Sequence, residues 1–76
     1  MLAGKEIIGT IAVKDLPAAV HRGLLASRYA KARVLRVERV TEAAKSGAVT
    51  FELMVEQAGK KHELAFDQTG KLTRVE

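Results

Sequence analysis

Val49–Phe66 reads V-T-F-E-L-M-V-E-Q-A-G-K-K-H-E-L-A-F, and this stretch decides the fold. Val49, Phe51, Leu53 and Val55 alternate with Thr50, Glu52, Met54 and Glu56. A strand sends successive side chains to opposite faces, so this spacing builds one apolar face and one polar face. His62, Leu64 and Phe66 alternate in the same way with Lys61, Glu63, Ala65 and Asp67. Between the two runs lies Gln57-Ala58-Gly59-Lys60, where Gly59 supplies the positive φ that a tight hairpin needs. The expected core is therefore Phe51, Leu53, Leu64 and Phe66.

Upstream, Glu6–Val13 (E-I-I-G-T-I-A-V) is β-branched and reads as a short strand, with Gly9 at a bulge or an edge. Asp15-Leu16-Pro17 is a helix start, with Asp15 capping free N–H groups and Pro17 in the first turn. Leu16, Ala19, Val20, Gly23, Leu24, Ser27 and Ala30 then share one face at helical spacing, and the helix is expected to end near Tyr29–Lys31. Gly23 costs a helix roughly 1 kcal/mol relative to alanine, which implies a close approach to the sheet. Arg33–Glu42 mixes two periods. Leu35 and Val37 alternate, whereas Val34, Val37 and Val40 recur every three residues. Its β-branched content favours a strand carrying a bulge. Asp67-Gln68-Thr69-Gly70 is a turn signature, and Lys71–Val75 closes as a short strand. Short connections imply antiparallel pairing. The expected fold class is α+β: one helix packed on a curled antiparallel sheet of about four strands, in the order β-α-β-β-β with or without a short final strand, within a single domain spanning 1–76.

Seventy-six residues allow one modest core and no more. There is no cysteine, so neither a disulfide nor a thiolate zinc site contributes. No run approaches the ~20 apolar residues of a membrane span. Residues 1–13 lack the basic start and continuous apolar middle of a secretory signal. The expected location is periplasmic or secreted if such a segment has been removed, and cytoplasmic otherwise. The net charge of +4 is uneven, with +5 on residues 1–46 and −1 on residues 47–76.

Chemistry-bearing residues are sparse. His21 has no further ligand nearby in its element and His62 has only Glu63 and Asp67, short of the convergent donors of a metal site, and Ser27 and Ser46 have no histidine or acid at a telling spacing. Glu38, Glu52, Glu56 and Glu63 have the outward parity of a solvated sheet face, expected to pair with Arg36 or Lys61. No catalytic residue, cofactor or metal is expected. Arg22, Arg28, Arg36 and Arg39, with Lys31 and Arg33, form the candidate basic patch for nucleic acid. Single-strand binding also wants exposed aromatics, and only Tyr29 is expected to be exposed, which disfavours this partner. The remaining candidate contact surface is apolar: Thr50, Met54 and Ala65 on the outward sheet parity, with Val40 beside them, and Leu25 on the helix's outer side. A protein or peptide is the expected partner, a second copy among the candidates, with a sheet edge as an alternative site.

The chain resembles the PepSY-like domains, small and often secreted bacterial domains. The likeness is carried by D-L-P-A-A-V at 15–20, Y-A-K-A-R-V-L-R-V-E at 29–38, V-T-F-E-L-M-V at 49–55, G-K-K-H-E-L-A-F-D at 59–67 and G-K-L at 70–72. The order and spacing of these strings carry it, over about residues 10–75. The family usually has an aromatic-proline pair at the helix exit, whereas Ala30 follows Tyr29 here. The resemblance implies a fold similar to modules of protease propeptides and to repeats of a β-lactamase inhibitor protein. It further implies a role in binding or restraining other proteins, with regulation of a peptidase or an envelope sensor as the family analogy. It brings no catalytic residues.

Overall fold

The computed structural model describes residues 6–42 and 46–76. Strand β1 (Glu6–Ile11) leads through a 3-10 turn at Val13–Asp15 into helix α1 (Ala18–Ala26). Strands β2 (Arg33–Glu42), β3 (Ala48–Gln57), β4 (Lys60–Asp67) and β5 (Leu72–Val75) follow. All neighbours pair antiparallel, and spatial order equals chain order, β1-β2-β3-β4-β5.

This corrects the expected architecture in number and proportion. The molecule is mostly antiparallel sheet, with five strands holding 56% of the described residues and one short helix. Two local causes shorten the helix. Leu16 precedes a proline, which disfavours helical backbone, and its ψ of 141° is extended. Pro17 is therefore the N-terminal cap residue, and Asp15 ends the 3-10 turn without capping the helix. At the other end, the Ser27 hydroxyl donates to the Leu24 carbonyl at 2.7 Å and accepts from the Tyr29 N–H at 3.1 Å. Those bonds turn the chain out of the helix before Tyr29. The short closing strand joins the sheet as a full fifth member because Glu76 and Glu63 exchange backbone hydrogen bonds at 2.7 and 2.8 Å, and the Thr73 hydroxyl donates to the Ala65 carbonyl across an irregularity in the β4–β5 pairing.

The inner face of the sheet carries the core. Val37, Leu53 and Leu64 lie in one cross-strand row and Phe51 and Phe66 in the next, all buried with Val55 beneath Val20 and Leu24 of the helix. The bulge at Leu35 explains the mixed period of β2. It places Val34 opposite Val55 and Val37 opposite Leu53, so residues three apart face the same core while Leu35 is exposed. Val40 has the opposite parity yet is buried on the outer face, between Ile8 and Thr50 in register.

The helix crosses at the β4–β5 end of the sheet. A Cβ on Gly23 would overlap the Gly70 carbonyl oxygen, and a Cβ on Gly70 would overlap the Ala19 carbonyl oxygen. The close approach at Gly23 is thus to the turn between β4 and β5. Asp67 builds that turn. One carboxylate oxygen accepts from the Thr69 hydroxyl (2.6 Å), the Thr69 N–H (2.9 Å) and the Lys71 N–H (3.0 Å). These bonds, the Thr69 hydroxyl first among them, hold the Asp67 carboxyl below its ordinary pKa.

Candidate functional site

Each expected contact residue has a definite place. Leu25 is exposed on the helix, across the molecule from the outer sheet face. Thr50 and Met54 lie on that outer face along β3, half-buried and separated by Glu52. Ala65 is 1% exposed and unavailable as a contact. Its register partners are Glu52 and Arg74. Arg74 reaches Glu52 at 3.2 Å, Glu63 at 3.7 Å and Glu76 at 2.8 Å, so its guanidinium bridges the position over Ala65. The bond to Glu52, then the charges of Glu76 and its neighbours, raise the Arg74 pKa above its ordinary value. The outer face is consequently a charged lattice around Met54, whose register partners are Arg36 and Glu63. The four expected contact residues do not form one surface.

The basic residues are also dispersed. Arg22 projects from α1 and Arg28 from the helix exit, where the Arg28 carbonyl accepts from the Gln57 side chain at 3.1 Å. Arg39 shares the inner-face parity of Val37, whereas Arg36 has the outer parity and approaches Glu38 at 3.8 Å. Arg33 pairs with Glu56 at 2.7 Å. Tyr29, expected to be exposed, is 6% exposed, with its ring 5.2 Å from that of His62 at the end of β4. It fills the space where the helix exit meets the β3–β4 hairpin. Among the described residues no concave pocket is present, and no group of three or more His, Cys, Asp or Glu is placed to hold a metal ion. No helix among them is long and apolar enough to cross a membrane.

The feature with the clearest capacity for contact is the β1 edge. Among the described residues β1 pairs only with β2, in a register unbroken from Glu6↔Glu42 to Ile11↔Val37. Its far side therefore presents backbone donors and acceptors that no described strand takes up. Ile7 is 60% exposed on the inner face, beyond the helix, and Ile8 is 55% exposed on the outer face. Only Ile11, at the strand's end, packs against the core. Residues 7–13 contain no charge and no proline. The opposite edge is defended. β5 has four residues, is irregularly paired, and is flanked or occupied by Lys71, Arg74 and Glu76. Short length, charge and irregular pairing are the usual ways a sheet edge is blunted; β1 is longer than β5, regularly paired, and charged only at Glu6, its first residue.

Sequence reading names a sheet edge only in general terms and misses Ile7 and Ile8. The sequence does carry a signal for this edge. Two adjacent isoleucines point to opposite faces of a strand, and a lone helix covers at most one of them.

Comparison with protein-family models finds no match, and comparison with curated proteins finds none either. The likeness to the PepSY-like domains accordingly rests on the strings quoted above.

Proposed function

We propose that the protein is a non-enzymatic protein-binding module that acts by taking an added strand on its β1 edge. One observation carries this reading. β1 is an edge strand whose one charge, Glu6, sits at its start, with a large apolar side chain exposed on each face, in a sheet whose other edge is blunted. Backbone groups on such an edge supply affinity, and the flanking side chains supply selectivity for alternate residues of the incoming strand. The preferred occupant is an extended segment with small or β-branched residues that pack beside Ile7 and Ile8. Regulation of a peptidase or an envelope sensor, with periplasmic or secreted location, follows from the PepSY-like resemblance alone.

Titration with a fluorescent Val/Thr-rich peptide, followed by amide chemical shifts, tests the site. The expected perturbations fall on Glu6–Ile11 and the facing strand β2, and Ile8→Lys abolishes them. Perturbations confined to α1 or β5 would remove the β1 reading. For the regulatory clause, peptidase activity unchanged by saturating protein would count against inhibition.

A further inference from the structure

We infer that the strand added at this edge, open among the described residues, is β1 of a second copy, antiparallel and centred on Ile8, so that two five-stranded sheets become one. This names the occupant of the proposed site and rests on that reading. Two identical edges pairing antiparallel are related by a twofold axis perpendicular to the sheet, and directly opposed residues then share a face. In β1, Ile7, Gly9 and Ile11 belong to the inner face, and Glu6, Ile8 and Thr10 to the outer. With the axis at Ile8, each Ile8 meets its own copy, Ile7 lies opposite Gly9, and Glu6 lies opposite Thr10.

That register is self-complementary in shape and charge. Nothing lies within 4 Å of a Cβ built on Gly9, so Ile7 of the other copy has open backbone to cover. The single charge of the strand, Glu6, meets a hydroxyl and no like charge. An axis at Ile7 would shorten the overlap and set Glu6 against Ile8. An axis at Gly9 would place two glycines face to face and ask Ile7 to pair with Ile11, which is already packed on the core. Pairing over Glu6–Thr10, with all four isoleucines covered, removes on the order of 1,000 Å² from water, the lower limit for a specific interface. An interface of that size belongs to the weak, transient class.

The chain has no cysteine, so single substitutions read the register directly. Paired residues in an antiparallel sheet have Cα atoms about 4.5–5.5 Å apart, within disulfide range. Under mild oxidation Ile8→Cys should form a disulfide dimer at least about tenfold faster than Ile7→Cys or Thr10→Cys, since only residue 8 meets itself. Sedimentation of the cysteine-free chain should show the mass rising with concentration from 8.2 kDa to twice that value. Ile8→Lys should hold it at the lower mass while its circular dichroism and unfolding stay those of the parent chain. Equal cross-linking at positions 7 and 8, or a parent chain that stays monomeric up to millimolar concentration, overturns self-pairing. If that monomer still binds the Val/Thr-rich peptide in an Ile8-dependent way, the strand-adding edge stands and its occupant is another chain. If it binds neither, both readings fall.

Discussion

Gly23 and Gly70 meet where the helix crosses the β4–β5 turn, and neither tolerates a methyl group. A Gly23→Ala change gains helix propensity of up to about 1 kcal/mol, but its Cβ would overlap backbone, which cannot swing aside as a side chain can. Overpacking of this kind costs typically about 1–3 kcal/mol, so Gly23→Ala is expected to lower stability in urea unfolding while Gly9→Ala, in open space, leaves it near the parent value. Ala58 offers the opposite case. Its φ of 54° and the 77° of Gly59 give the hairpin two consecutive left-handed residues, as a type I′ turn requires. Left-handed backbone costs a residue with a Cβ roughly 1–2 kcal/mol, and asparagine accommodates it better, so Ala58→Asn should raise the unfolding midpoint, with a gain of about 1 kcal/mol at most. Asp67 sets a pH dependence. Its carboxyl has a depressed pKa in the folded chain, so its contribution is complete above the unfolded value of about 3.9 and is lost as pH falls through the folded one. The stability difference between the parent chain and Asp67→Asn should be constant from pH 7 to about pH 5 and shrink below about pH 4. A difference independent of pH across that range would show that ionisation of Asp67 plays no part.

At the scale of elements, alternation was the most legible signal. The β3–β4 hairpin follows it residue by residue because one face is packed and the other is charged. β2 was harder to read because a single bulged residue, Leu35, reverses the parity between Val34 and Val37, and a sequence pattern cannot show where an extra residue is looped out. The helix is shorter than its apolar stripe because that stripe continues past the points where Pro17 and Ser27 stop the backbone. Tyr29 is buried against the expectation for the same reason: outside a helix, helical spacing says nothing about where a ring points. The expected apolar patch failed at Ala65 because a salt-bridge lattice centred on Arg74 covers it, and that lattice depends on a fifth strand whose register sequence alone does not give. The two edges make a prediction of their own. Replacing Ile8 with lysine adds to β1 the kind of charge that β5 carries, and should raise solubility at millimolar concentration without changing the fold, whereas Arg74→Ile should lower it. Light scattering on the two variants checks the asymmetry.

For the whole molecule, one short helix covers one end of a five-stranded sheet, and the described residues extend over 43 × 23 × 20 Å. Cover is concentrated over β3 and β4, so β1 is held by its pairing to β2 and by Ile11 alone among its side chains in the core. The same layout that leaves no concave site among the described residues leaves a strand edge open. Amide hydrogen exchange of β1, followed by NMR at low micromolar and at millimolar concentration, measures this directly. The β1 amides that point away from β2 should exchange freely in the dilute chain and become at least about tenfold protected in the concentrated one, with β5 unchanged and with no protection in Ile8→Lys. Exchange at β1 that is indifferent to concentration and to added peptide, or protection that appears at β5 instead, would contradict the account.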